Sequence, residues 1–150
     1  MTVEAGSQLA ADLETVRQEL DSSRAALLQT LGTMSDADLG RGRRGGWSIG
    51  RVLEHVLDSE RLYVAGLAHL QGQPQPNQEK TRPDDVQGFV DALEATRKAA
   101  LALLQDASED TFYEIRSLGH EEYSVLSLLE NVALHDREHA AQIEQIMAEA

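Results

Sequence analysis

Two histidines four residues apart are the first feature of this sequence that points to chemistry. His135 and His139 stand in the segment His-Asp-Arg-Glu-His. On a helix, residues at this spacing lie one turn apart on the same face. Paired imidazoles on one face are typical of a divalent metal site, but two ligands are too few for tight binding. A third ligand has to come from another part of the chain.

The apolar pattern around the two histidines predicts that both face the core. Apolar residues recur at spacings of three and four through this segment, and His135 and His139 take positions that the pattern otherwise gives to Leu or Ile. An imidazole that is buried without a partner costs free energy, so we expect each histidine to be held by a neighbour. Asn131 and Gln142 lie within one turn of His135 and His139, respectively. They are the candidates to orient the second ring nitrogens.

His55 is the candidate for the third ligand. It lies on the flank of the apolar face of an earlier helix, and it is selected because the histidine pair needs a partner. Asp58 follows His55 by about one turn and is the candidate catalytic base or orienting carboxylate. Glu138 directly precedes His139, so its side chain points about 100° away around the helix and is expected in solvent.

The composition limits the partners of the protein. A formal net charge of −13 over 150 residues repels phosphates, so we expect no nucleic-acid partner. No apolar run is long enough to span a bilayer, and the first thirteen residues carry Glu4 and Asp12 instead of the apolar segment of a secretory leader. We therefore expect a cytoplasmic protein without a membrane partner, folded as one domain over residues 1–150.

The sequence contains no cysteine. This excludes disulfides, iron–sulfur clusters, thiolate zinc sites and a catalytic protein thiol. Any metal must therefore be held by imidazole and carboxylate groups. If the protein carries out thiol chemistry, the thiol must belong to a co-substrate.

Four stretches with helical periodicity make up most of the chain, and none shows the alternation of a strand. They run from the expected N-cap Ser7 to about Leu31, from the N-cap Ser48 to about Gln71, from Asp84 or Asp85 to about Gln105, and from Ser124 or Val125 to about Ala148. Each carries one apolar stripe, which predicts an all-α four-helix bundle. A short helical turn is expected at residues 109–112, within an otherwise irregular segment.

Polar residues interrupt two of the apolar stripes. Ser23 and Arg24 stand within the first stripe, and Thr96 and Arg97 stand midway in the third. At Ser23-Arg24 we expect a polar group to face inward.

Two of the connections have a distinctive composition. Gly40 to Gly46 is basic and glycine-rich, and we interpret it as a solvated connector because it lacks the Gly-Lys-Ser/Thr ending of a phosphate-binding loop. The proline-containing link from Gly72 to Asp85 is long enough to cross from one end of a bundle to the other. Trp47 is interpreted as an anchor of the second helix in the core or as the wall of a pocket.

Two segments together resemble the DinB/YfiT-like family. Gly46 to Val56, with the sequence GWSIGRVLEHV, is similar to the W-S…H opening of that family's second helix. Val132 to Ile143, with the sequence VALHDREHAAQI, is similar to its H-x-x-x-H-x-x-Q-I signature. The order and spacing of the elements also agree along nearly the whole chain.

The resemblance implies an up-down-down-up bundle with the crossover between its second and third helices. It also implies one divalent metal ion, commonly nickel, zinc, iron or manganese, held by His55, His135 and His139, with the remaining positions open to substrate. Some relatives are transferases that move low-molecular-weight thiols onto electrophiles, others are thiol-dependent isomerases, and many have no known activity. The chain is therefore expected to be a metal-dependent transferase or hydrolase acting on a small molecule.

Three alternatives stay open. The segment His-Asp-Arg-Glu-His also matches the inverted zincin signature, but we favour a protease less because His55 supplies a third ligand and the small bundle offers no peptide cleft. In the second alternative the metal site belongs to a non-catalytic, stress-associated binding protein. In the third the histidines are packing residues, hydrogen-bonded to Asn131, Gln142 or Asp58, and no metal binds.

A homodimer is expected if the bundle presents a second apolar face. Leu70, Ala99 and Leu103 lead to this expectation because they would be unusual as isolated exposed residues. The sequence identifies neither the partner face nor its extent.

Overall fold

Four long helices dominate the structure, a computed structural model that describes residues 2–78, 80 and 82–149. They are α1 (Thr2–Gly32), α2 (Ile49–Leu70), α3 (Val86–Leu104) and α5 (Val125–Ala148). The shorter elements are a 3-10 helix (Asp36–Gly40), α4 (Glu109–Phe112) and a hairpin of β1 (Arg116–Leu118) with β2 (Glu121–Tyr123). Among the described residues, no helix combines the length and the apolar content that a membrane crossing requires.

Side-chain caps begin three of the long helices where the sequence predicts. Ser48, Asp85 and Ser124 each accept a hydrogen bond from a backbone N–H in the first turn. The predicted start of the first helix at Ser7 is wrong, because α1 already begins at Thr2. No proline precedes Ser7 to stop the helix from extending in that direction.

The hairpin was not predicted from the sequence. The helical turn at residues 109–112 is confirmed as α4, but the segment after it forms two antiparallel strands in which Arg116 pairs with Tyr123. Each strand has only three residues, and two of the three are exposed. The sequence therefore has no periodic pattern from which the hairpin could be predicted. Gly119 has φ +66° at the first position of the connecting turn, a conformation that glycine adopts readily.

The core consists of two clusters, one at each end of the bundle. The hairpin-end cluster joins the N-terminal halves of α1 and α5 to the C-terminal halves of α2 and α3, and it includes Leu20, Val64, Leu104 and Leu129. The loop-end cluster joins the opposite halves and includes Leu27, Val52, Phe89 and Ile143. Helices α1 and α5 therefore run in one direction and α2 and α3 in the other. This is the expected up-down-down-up order, and residues 71–85 form the crossover.

A quartet of buried charges lies between the two clusters, one from each long helix. Arg24, Glu60, Arg97 and Asp136 are between 2% and 6% exposed. Asp136 accepts hydrogen bonds from Arg24 Nε at 3.0 Å and from Arg97 Nη2 at 2.9 Å. Glu60 accepts from Arg97 Nε at 2.9 Å and pairs with Arg24 through its other oxygen. The two positive and two negative charges balance, so the centre of the bundle is polar but carries no net charge.

Backbone carbonyls complete the charge quartet. Arg24 donates to the carbonyl oxygen of Leu93 at 2.8 Å, and Arg97 donates to that of Leu20 at 3.0 Å. The inward polar group expected on the first helix is therefore present, and Arg97 on the third helix also faces inward. Glu60 and Asp136, their acidic partners on α2 and α5, were not anticipated.

The residues that suggested a homodimer are mostly covered within the single chain. Leu70 and Leu103 are buried in the hairpin-end cluster, and Ala99 packs against it. The homodimer stays a prediction, but these three residues no longer provide its second apolar face.

The charge quartet predicts a large difference between two glutamates of the same helix. Glu60→Ala leaves two buried guanidinium groups with less compensation, and we expect a loss of unfolding free energy on the order of 3–5 kcal/mol. Glu54→Ala removes only the partly exposed pairs with Arg51 and Arg82, so a loss within about 1 kcal/mol is expected. Urea unfolding of both variants measures this difference, and equal losses would contradict the structural role of the quartet.

Candidate metal centre

Helices α2 and α5 bring the three predicted histidines together along one groove. His55 lies in the second turn of α2, and His135 and His139 lie one turn apart in the middle of α5. All three are half-buried. The prediction that His135 and His139 take core positions is therefore wrong. The fully buried residue between them is Asp136, which belongs to the charge quartet, and the histidines flank it at the surface of the bundle.

The three imidazoles point their Nε2 atoms at one another. The distance between His135 Nε2 and His139 Nε2 is 3.0 Å, and that between His135 Nε2 and His55 Nε2 is 3.3 Å. All three ligand atoms lie within 4.8 Å of one another. Nitrogen ligands about 2.1 Å from a shared ion, at angles of about 90–110°, are about 3.0–3.4 Å apart. The spacing thus suits three imidazoles around one divalent ion.

Gln142 fixes the orientation of one imidazole. The Nδ1–H of His139 donates to Gln142 Oε1 at 2.7 Å, which leaves the lone pair of Nε2 free for a ligand bond. This agrees with the role that the sequence suggested for Gln142. The corresponding expectation for Asn131 is wrong, because its Nδ2 donates instead to the hydroxyl of Tyr63 on α2 at 3.2 Å.

The surroundings keep two of the imidazoles neutral. Burial, followed by the neighbouring imidazoles His139 and His55, lowers the pKa of His135 to about 4. Burial and then His139 also lower the pKa of His55 below its usual value. At neutral pH both rings therefore lack the second proton that would have to leave before a metal could bind.

Aromatic rings stand on two sides of the histidine cluster. Trp47 meets His55 edge-on with 5.4 Å between ring centroids, and Tyr63 meets His135 at 5.9 Å. Trp47 is 45% exposed, so it is a wall of the site and not a core anchor. Arg51 lies over the Trp47 ring at 5.2 Å. The sequence did not single out Tyr63 as a site residue, although its position two helical turns after His55 places it beside the cluster.

The carboxylates named from the sequence lie outside the histidine cluster. Asp58 is exposed, and one of its oxygens is 3.6 Å from Arg82 Nη2. Its charge raises the pKa of His55 but is outweighed by burial. Glu138 is exposed, as expected. The role of Asp58 as a catalytic base stays a prediction.

Comparison with known proteins gives the family. A family model described as the DinB superfamily matches residues 19–143 of the chain. The chain belongs to the DinB superfamily. The crystal structure of a DinB-like protein from Bacillus cereus ATCC 10987 has a similar fold, with a TM-score of 0.72 and 18% sequence identity over 92% of this chain and 89% of that one. No curated protein matches the sequence.

The basic loop of this DinB-superfamily protein is tied to the C-terminal end of α5. Arg41 donates to the carbonyl oxygen of Met147 at 2.9 Å, and Arg43 pairs with both carboxylate oxygens of Glu149 at 2.5 and 2.8 Å. Gly42 lies so close to Trp47 and Ser48 that an added Cβ would be 2.7 Å from the Trp47 carbonyl oxygen. The loop therefore helps to hold Trp47 beside the histidine cluster.

The contact between His139 and Gln142 predicts a selective effect on metal affinity. Gln142→Leu removes the acceptor that orients His139, and a loss of about 10- to 100-fold in affinity for zinc or nickel is expected. Asn131→Leu is the matched control, because Asn131 flanks the same histidines on α5 but contacts Tyr63 instead. Competition titration with a chelating dye measures both affinities. Equal losses in the two variants would contradict an orienting role for Gln142.

Proposed function

We propose that the protein binds one divalent metal ion through His55, His135 and His139 and uses it to catalyse a reaction on a small molecule. The observation that carries this proposal is the convergence of the three Nε2 atoms, with separations of 3.0 and 3.3 Å for two of the pairs. Two of the rings are kept neutral by their surroundings, and Gln142 orients the third. Imidazole nitrogens suit zinc, nickel and iron, and manganese is also within the proposal.

An open coordination sphere favours catalysis over a purely structural role. Structural zinc sites usually have four protein ligands, whereas catalytic sites have three and keep a position for substrate. Among the described residues, only three ligand-bearing side chains meet here. A divalent metal ion supplies Lewis acidity, which lowers the pKa of a nucleophile and stabilises developing negative charge.

The reaction that we propose is transfer of a low-molecular-weight thiol to a small electrophile, with hydrolysis as the variant in which water is the nucleophile. The chain has no cysteine, so the thiol is a co-substrate. The aromatic rings of Trp47 and Tyr63 stand beside the imidazoles. Asp58, which follows His55 by one turn, is proposed to accept the proton of the nucleophile. The cytoplasm is the proposed location, since small thiols are kept reduced there.

A non-catalytic metal- or ligand-binding protein is the second candidate function. The position of Asp58 favours it, because this carboxylate is exposed to solvent and lies beside Arg82, with 3.6 Å between Asp58 Oδ2 and Arg82 Nη2. In that case the protein keeps the metal site but lacks a base positioned to act on a nucleophile. Metal content and turnover separate the two candidates.

Metal content is the first test. Tag-free protein is expected to contain about one divalent ion per chain by mass spectrometry, and His135→Ala is expected to lose it because two imidazoles bind too weakly. His120→Ala is the matched control, since His120 is exposed in the turn between β1 and β2. A metal-free wild-type protein that also fails to take up added nickel, zinc or manganese would overturn the metal site.

Turnover is the second test. Metal-loaded protein is mixed with glutathione or cysteine and 1-chloro-2,4-dinitrobenzene, in which the sulfur–carbon bond forms and chloride leaves. Wild-type protein is expected to consume thiol, and Asp58→Asn is expected to be about 100-fold slower or more if Asp58 is the base. Glu138→Gln, an exposed carboxylate of α5, should be unchanged. Full metal content without turnover on this and other small electrophiles would favour the binding protein.

A further inference from the structure

A cavity of about 610 Å³ lies between α2, the hairpin and the start of α5. Apolar and aromatic side chains form most of its surface, and those that matter here are Leu62, Tyr63, Leu118, Tyr123 and Leu128. Such a volume and lining are typical of small-molecule sites. The cavity is separate from the groove between α1 and α3, which is lined mainly by charged residues.

The cavity lies beside the histidine cluster and shares Tyr63 with it. On α2, Leu62, Tyr63 and Gly66 follow His55 by about two and three turns, and on α5 Leu128 precedes His135 by two turns, so they lie on the faces that carry the histidines. Tyr63 belongs to both places, since it lines the cavity and packs against the His135 ring. With a rise of 1.5 Å per residue, the seven residues from Leu128 to His135 span about 10 Å.

The absence of a side chain at Gly66 lets the hairpin approach α2. A Cβ added there would be 2.8 Å from Leu118 Cδ2 and 3.4 Å from Leu128 Cδ2. Leu62, at the edge of the cavity, is 73% exposed. The cavity is therefore apolar, open at one side, and one side chain away from the histidine cluster.

We propose that this cavity holds the apolar body of the substrate while its reactive group lies at the three histidines. The ligand class is a small molecule with a polar reactive end and an alkyl or aryl body equivalent to about eight carbons, the length that spans about 10 Å along the groove. The proposal rests on the metal site of the proposed function and adds the substrate class to it. Tyr63 is the residue past which the body enters the cavity.

The chain length of a metal-directed ligand gives a direct test. Acetohydroxamate and octanohydroxamate share one metal-binding group and differ only in their apolar body. Burial of each methylene strengthens binding by up to about fourfold, so octanohydroxamate is expected to bind cobalt-loaded protein at least about 30-fold more tightly. The cobalt absorption spectrum reports binding of both. Equal affinities would overturn the proposal.

Two variants and one control test whether the cavity causes the preference for octanohydroxamate over acetohydroxamate. Ala65→Leu adds bulk at a residue that lines the cavity and is expected to remove most of the preference for octanohydroxamate, with acetohydroxamate affinity unchanged. Leu118→Ala enlarges the cavity at the hairpin and is expected to shift the preference toward longer chains. Ala102→Leu adds the same bulk to the separate groove of α1 and α3 and should leave the preference as in the wild type. A preference that survives Ala65→Leu and is unaltered in Leu118→Ala would overturn the proposal.

A measurement without metal separates this proposal from the proposed function. Addition of 1-octanol to metal-free protein is expected to shift the amide resonances of Gly66 and Leu118, and this shift should disappear in Ala65→Leu. If cobalt is not taken up, the proposed function fails and the substrate assignment fails with it, while the octanol response still shows whether the cavity takes apolar ligands. If cobalt and acetohydroxamate bind but octanol and chain length have no effect, only the cavity proposal is overturned.

Discussion

The charge quartet of Arg24, Glu60, Arg97 and Asp136 is the interaction on which the rest of the structure depends. Each long helix contributes one charge, and each charge is buried at the level where the two apolar clusters meet. A purely apolar core tolerates rotation or sliding of a helix more readily than directional, charge-assisted hydrogen bonds do. Two arginines hold the carboxylate of Asp136, and Asp136 thereby fixes the rotation of α5 about its own axis. His135 and His139 lie on the same helix, so their side chains face α2 in a defined orientation. Glu60 does the same for α2, which carries His55 little more than one turn earlier. In this way the charge quartet, which adds no net charge to the core, sets the orientation of the proposed metal ligands.

Electrostatics and packing act together at the histidine cluster. Burial lowers the pKa values of His55 and His135, so that the rings offer lone pairs and do not repel one another as cations. Gln142 orients His139 from within the same helix, whereas Asn131 supports Tyr63 across the groove. The site is therefore asymmetric: one side is closed by Trp47 and the basic loop, and the other leads past Tyr63 to an apolar cavity. For the substrate that we propose, this asymmetry provides two different environments, one for each end.

Much of this arrangement could be predicted from the sequence, and the parts that could not have physical reasons. Helical periodicity and the caps at Ser48, Asp85 and Ser124 locate three long helices closely, because these signals are local. The three histidines could be named because their spacing and the family resemblance agree. The sequence placed His135 and His139 in the core because an apolar stripe does not distinguish its centre from its flank, and Asp136 takes the centre. Glu60 and Asp136 were missed because a charged residue is ordinarily assigned to the solvent face. The hairpin, with two three-residue strands, is stabilised by contacts with α2 and α5 that no local pattern encodes.

The pairing of the first and last long helices has a consequence for when the proposed metal site can form. Helix α1 packs most extensively against α5, and the crossover sets α2 and α3 parallel, so neither α1 with α2 nor α2 with α3 forms a simple antiparallel hairpin of neighbours. A nascent chain that carries α1 to α3 alone lacks the principal partner of α1, one of the two acidic residues of the charge quartet and two of the three histidines. Closure of the bundle therefore waits for the synthesis of α5, and the three histidines come together only after this helix has been made.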